Sequence, residues 1–321
     1  MKRFFSGGAL LALALLMGAA WAQASAQRLA SPEARAVAYL REEVPRWRRE
    51  HPCYSCHNNG DGTRALVAAA RHGLADVREL DDTVSWLRAP ERWALNSEDG
   101  GVKDLPLARI QFASALQELV RSIGAEAPAL ARAAELVIAD QRPDGSWPIS
   151  AAATIGSPAA YGTPLATAVA RQTLARVGSV AARQAVMRAD AWLRAFRPES
   201  VLDASATVLG VGDAPDAAAS VRRQEAVSIL LRGQARDGGW GPYVTSQSES
   251  FDTAVALLAI WPLRSTDPRL AAAAARARQY LVTQQEPAGN WPETTRPAGN
   301  ESYAQRISTT GWALMALLES Q

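Results

Sequence analysis

The chain is poor in the residues that most often carry chemistry. It has 2 cysteines and 3 histidines among 321 residues, and none of either lies beyond His72. A zinc centre built from the C-terminal part is therefore excluded. Lysine occurs only at Lys2 and Lys103, and the arginines are scattered and do not form a basic stripe, so no nucleic-acid footprint is present. Strand-like alternation is nearly absent, which points away from sheets.

After one apolar run near the start there is no second long one, so no transmembrane span is expected in the mature chain. That first run, "GGALLALALLMGAAW", follows Lys2 and Arg3 and precedes Ala24-Ser25-Ala26, the small-residue pattern of a signal-peptidase site. Residues 1–26 are read as a secretory signal peptide and 27–321 as one domain, periplasmic or secreted. Loss of Lys2 and Arg3 leaves the 34 basic residues level with the 32 acidic ones, so the mature chain is near neutral.

What is present is helical periodicity. Amphipathic runs such as "RRQEAVSILLRGQ" alternate with nearly continuous apolar ones such as "DTAVALLAIW", separated by Gly, Pro, Asn and Asp. Three stretches repeat: "QRPDGSW", "QARDGGW" and "QEPAGNW". They set Gln141 against Trp147, Gln234 against Trp240 and Gln285 against Trp291, each pair six apart around a glycine turn. Each ends an amphipathic helix and precedes an apolar one. Pairs are expected at about 32–73, 76–122, 128–177, 180–210, 216–262 and 267–319, six units that bury their apolar faces only against one another.

The repeat, clear over residues 128–321, resembles the QW motif of squalene and oxidosqualene cyclases, whose α/α toroid is shared with protein prenyltransferases. The resemblance implies an all-α toroid and a structural role for the six Gln and Trp residues. In the hopene cyclases a carboxylic acid within an Asp-x-Asp-Asp-Thr-Ala motif protonates an alkene. Here "SFDTA" keeps Asp252-Thr253-Ala254 but places Phe251 at the donor position and Ser250 at the first acid. Asp252 stays a candidate acid, with helix capping as its plainer role. "ELDDTV" offers Asp81 and Asp82, expected at the start of an outer helix. The prenyltransferase zinc ligands and the Cys-Gly-Glu-Gln of thioester toroids are missing.

Both cysteines fall in "HPCYSCHNNGDG". Cys53-Tyr54-Ser55-Cys56-His57 matches the c-type haem pattern, in which two thiols add to the haem vinyl groups and the adjacent histidine ligates iron. The expectation is one covalent haem c on Cys53 and Cys56, with His57 as iron ligand and His72 or His51 as the candidates for the sixth position. A Cys53–Cys56 disulfide is the competing reading in an oxidising compartment. "NNGDG" is expected to be a turn, matching the Asp-Gly of the other repeats.

Three functions follow. The first is a haem-bearing toroid for redox chemistry or sensing, with a redox partner protein and an apolar ligand in the ring. The second is a terpenoid cyclase-like enzyme acting on an isoprenoid, with Asp252, Asp81 or Asp82 as acid. The third is a scaffold toroid with the cysteines paired.

Overall fold

The computed structural model describes residues 31–51, 53–95, 104–124, 126–149, 155–294, 296 and 302–321. The expected signal peptide lies outside the described residues. Twelve α-helices are found among them: α1 (Pro32–Glu50), α2 (Thr63–Arg71), α3 (Asp81–Leu87), α4 (Leu105–Ile123), α5 (Ala127–Ala139), α6 (Thr163–Leu174), α7 (Val180–Ala195), α8 (Val201–Val211), α9 (Ala217–Gly233), α10 (Ser250–Ile260), α11 (Pro268–Gln284) and α12 (Tyr303–Glu319). Extended pairing among the described residues is limited to the isolated bridge Trp240–Glu249, and no helix there is long and apolar enough to cross a membrane.

The even-numbered helices form an inner ring in which each packs on the next and α12 returns to α2. The odd-numbered helices wrap it, so the fold is an all-α toroid of six outer-inner pairs with bounds close to those expected. Sequence explains the division. In α10 all residues but Leu258 are buried, and in α12 burial is continuous from Ile307 to Leu318, as a helix surrounded by neighbours requires. In α7 burial is confined to Ala182, Ala185, Ala189 and Leu193, one stripe. Small residues on that stripe let the outer helices lie close to the inner ones.

Starts are set by caps. Ser31 accepts the Ala34 N–H at 3.1 Å with Pro32 at the first helical position, and Ser200 and Asp203 cap α8 reciprocally.

The repeat turns share one geometry. Trp147, Trp240 and Trp291 are fully buried, and each indole N–H donates at 2.7 Å to a carbonyl of the preceding outer helix: Val137, Leu230 and Leu281. Each Gln Nε2 donates twice, once within its own turn and once to the next outer helix: Gln141 to Ala185 O at 2.9 Å, Gln234 to Ala273 O at 2.9 Å and Gln285 to Pro32 O at 2.8 Å. The turn glycines, Gly145, Gly238 and Gly289, take φ values of 97°, 91° and 101°. A Cβ on Gly289 would lie 2.3 Å from the Arg35 carbonyl oxygen, so the same residue permits both the backbone angle and the close approach.

One expectation is corrected. "NNGDG" is not a turn: Cys56–Gly62 is a π-helical segment running straight into α2, with Asn58 through Gly62 buried. Asn58 and Asn59 bond inward, where a surface turn would leave them in water: Asn58 Nδ2 donates to Glu43 O at 3.0 Å and Asn59 Nδ2 to Thr83 Oγ1 at 2.8 Å. Gly60 lies against Gln111 and Gly62 against Val44, where a Cβ would come within 3.1 Å and 2.9 Å of the neighbouring side chain. Cys53 to Ser55 form the only non-helical part of the haem-type motif.

Candidate functional site

Two polar clusters occupy the ring where the inner helices begin. Asp61, on the π-helical segment, lies at the meeting of four inner elements and is fully buried. Its Oδ2 accepts from Ser308 Oγ at 2.7 Å and Gln111 Nε2 at 2.9 Å, and its Oδ1 accepts from the Tyr161 hydroxyl. Burial pushes the Asp61 carboxyl up to about 6, while the donors and the charge of Arg64 hold it from rising further. Tyr161 is itself fully buried, has φ of 53° and packs edge-on against Trp312 at 5.5 Å. One buried carboxyl is thus met by a hydroxyl of Tyr161, a hydroxyl of Ser308 and an amide of Gln111, with Trp312 behind the tyrosine.

The second cluster is Asp252, Arg296 and Glu249. Asp252 is fully buried in the first turn of α10 and pairs with Arg296, which also reaches Glu249 at 3.0 Å. The capping role expected for Asp252 is not the one found: the N-cap position belongs to Glu249, and the Asp252 carboxylate answers a buried guanidinium instead. Burial raises the Asp252 carboxyl above the ordinary carboxylate range, Glu249 adds to this, and Arg296 opposes it. Phe251 beside it is buried and packs edge-on to Trp312 at 6.1 Å. Asp81 and Asp82 open the outer helix α3, both exposed, and Asp82 accepts from the Tyr54 hydroxyl at 2.9 Å. They are far from forming a lumenal acid pair.

The haem-type motif lies where α1 ends and the first inner element starts. His57 faces Trp47 edge-on at 5.0 Å and Tyr303 at 6.0 Å, and its Nε2 is buried without a hydrogen-bond partner. Burial and the nearby His51 push the imidazole down to about 3, so it is neutral at ordinary pH. Cys56 carries a free thiol, so no Cys53–Cys56 disulfide is formed in this structure. Burial, reinforced by Asp61, pushes that thiol up to about 12. His51 stacks on Trp47 at 3.8 Å. His72 is the C-cap residue of α2, about 20 Å of helical rise from His57. The structure therefore groups His51 with His57 and leaves His72 at the other end.

Sequence reasoning missed Asp61, Tyr161, Gln111, Ser308 and Arg296. A readable signal existed for Asp61: a run of Asn, Asn, Gly and Asp leads into a helix with no proline or cap between. Arg296 carried none, because it sits in the connection leading to α12 and meets Asp252 only when α12 packs on α10.

Where the inner helices end, a cavity of 180 Å³ opens among them, lined mainly by apolar side chains together with Arg64 and Trp312.

No family model and no curated protein matches this sequence. Solved structures do match. Type II terpene cyclase MstE from Scytonema, as an arginine-to-alanine variant in complex with its substrate geranylgeranyl dihydroxybenzoate, superposes with a TM-score of 0.59 at 16% identity, covering 90% of this chain and 96% of that one. A tyrosine-to-phenylalanine variant of the same cyclase without ligand gives 0.58 at 17% identity over the same shares, and the apo enzyme gives 0.54 at 16% over 81% and 88%. The chain has a terpene cyclase-like helical toroid fold over nearly its whole length.

Proposed function

We propose that this terpene cyclase-like toroid is an exported protein bearing one covalent c-type haem, used in redox chemistry or sensing, with a small apolar ligand held in the ring. The observation that carries this reading is the His57 Nε2. It is a buried, neutral nitrogen with no partner, adjacent in sequence to the free thiol of Cys56 and four residues from Cys53. Such a nitrogen costs about 1–3 kcal/mol if left unmet, and ligation of a metal would answer it. Trp47 and Tyr303 wall the imidazole with aromatic faces suited to bordering a porphyrin. A bound c-type haem supplies a one-electron iron couple, or a gas-binding site if its sixth position stays open. The protein's part is to fix the imidazole, exclude water and hold both thiols; a redox partner protein would meet the α1 end of the ring.

Expression in a host with c-type haem maturation, followed by a pyridine haemochrome spectrum, tests the reading. Covalent haem is expected, lost in Cys53→Ala with Cys56→Ala; a colourless protein overturns it.

A second reading, a terpenoid cyclase-like enzyme on an isoprenoid, is favoured by the whole-length likeness to a type II terpene cyclase and by the two buried carboxyl groups, Asp61 and Asp252, in the ring. The cavity of 180 Å³ is lined by neither carboxyl and lies below the roughly 300–1,000 Å³ of pockets that take drug-sized ligands, so short isoprenoids that could reach from it toward the acids are the substrates to try. Incubation with them, using Asp61→Asn and Asp252→Asn as controls, should give cyclised product lost in the variants; unchanged substrate removes this reading.

A further inference from the structure

The cavity at the end of the ring away from the haem-type motif holds a cation with unused donors. Arg64, in the first turn of α2, lines it together with Val169, Leu209, Leu258, Trp312 and Ala316, which are apolar apart from the indole N–H. Arg64 Nε and Nη1 are buried without a hydrogen-bond partner, and so is Trp312 Nε1. The guanidinium lies over the Trp312 ring, 5.1 Å from its centroid. These three N–H groups come from two facing inner helices and border one apolar space.

An arginine stays charged at any ordinary pH, and a buried guanidinium with two unmet donors is costly. The carboxylates nearby are already engaged. Asp61, three residues earlier, takes its hydrogen bonds from Tyr161, Ser308 and Gln111, leaving Arg64 only its long-range charge. Glu319, at the rim of the cavity, is held by Arg71 at 2.6 Å and Arg121 at 3.3 Å.

We infer that this cavity is a binding site for a small monocarboxylate with an apolar body, its carboxylate on Arg64 and Trp312 and its body among Val169, Leu209, Leu258 and Ala316. The inference deepens the apolar-ligand element of the proposed function and is independent of haem attachment. A carboxylate is the head group that a guanidinium fork meets with two parallel bonds, and the indole adds a third. Inner helices also end here, with about half a negative charge at each C-terminus. That field falls off within a turn, whereas Arg64 places a full charge in contact, so the head lies at Arg64 and the uncharged body toward the helix ends. Size follows from the volume. A cavity of about 150 Å³ holds benzene, so 180 Å³ suits a body of that size.

Benzoate and its neutral isostere benzamide are the probes. Isothermal titration calorimetry of the full mature protein, with and without haem, should show saturable one-to-one binding of benzoate, at least about tenfold tighter than benzamide. Arg64→Gln should weaken benzoate by at least about tenfold while changing benzamide less than about threefold. Ala316→Phe, one turn beyond Trp312 on α12, fills the space beside the donors and should abolish both. Absence of saturable benzoate binding to the wild type, equal binding of acid and amide, or benzoate binding that survives Arg64→Gln each overturns the site. If Arg64→Gln fails to fold, the acid-to-amide ratio in the wild type and the Ala316→Phe variant still decide. Haem loss without loss of benzoate binding would leave this site standing while removing the haem reading.

Discussion

Gln285, at the end of the last outer helix, donates from Nε2 to the carbonyl oxygen of Pro32, the first residue of the first outer helix, at 2.8 Å. This bond closes the circle. Arg35 donates back to Gln285 Oε1, so the first and last outer helices are clasped by the device that joins repeats three to four and five to six. Gln285→Ala should lower stability by about 1–3 kcal/mol, the cost of unmet buried groups. Urea unfolding measures it, and hydrogen exchange should quicken first at the amides of the opening turn of α1.

Gly289 and Gly73 separate two effects of a positive φ. Both are left-handed, at 101° and 72°, but a Cβ on Gly289 meets the Arg35 carbonyl while nothing lies within 4 Å of one on Gly73. Gly73→Ala should cost about 1–2 kcal/mol from backbone strain alone. Gly289→Ala should cost distinctly more and lower the melting temperature further, because α1 must move away.

Asp61 gives a pH signature. Its folded value of about 6 stands above the ordinary aspartate value of 3.8, so the unfolded chain ionises first and stability is lost as pH rises from about 4 through 6. The loss attributable to this one group is about 3 kcal/mol at 1.36 kcal/mol per unit. Chemical denaturation at a series of pH values should show that component, and Asp61→Asn should remove it. A variant with the wild-type slope would place the effect elsewhere.

His57 acts in the opposite direction. Its imidazole is depressed to about 3, so the protein without a ligand on this nitrogen gains full stability above about pH 6.5 and loses it as pH falls toward 3. His57→Phe should flatten that acid limb in a denaturation series. If His57 holds a haem iron as proposed, the same variant should also shift the absorption bands of a haem-loaded sample.

Arg296 and Asp252 test a buried pair. Arg296→Met leaves Asp252 and Glu249 without their cation and should cost about 3–5 kcal/mol in urea unfolding. The double variant with Asp252→Leu should recover much of that loss, since an apolar pair of similar size replaces the charges.

Much of this molecule was legible in one dimension because each repeat writes its own instructions. The Gln, Gly and Trp of residues 141–147, 234–240 and 285–291 fix a turn whose bonds are mostly local, and the contrast between striped and fully apolar helices tells outer from inner. Six pairs and their bounds follow from that periodicity. It also placed Asp81 and Asp82 on an outer helix, where they are found. Local reading failed at "NNGDG": Gly and Asn signal a turn when their neighbours are water, and here the neighbours are Glu43, Thr83, Gln111 and Tyr303.

What tertiary structure alone decided is the content of the ring. Asp61 meets Tyr161, Gln111 and Ser308 across separations of 100, 50 and 247 residues, and Asp252 meets Arg296 across 44. Nothing in local sequence encodes these pairings. They exist because twelve helices close on themselves and carry distant segments to one axis, where a lone carboxyl or guanidinium acquires the burial and partners that set its charge.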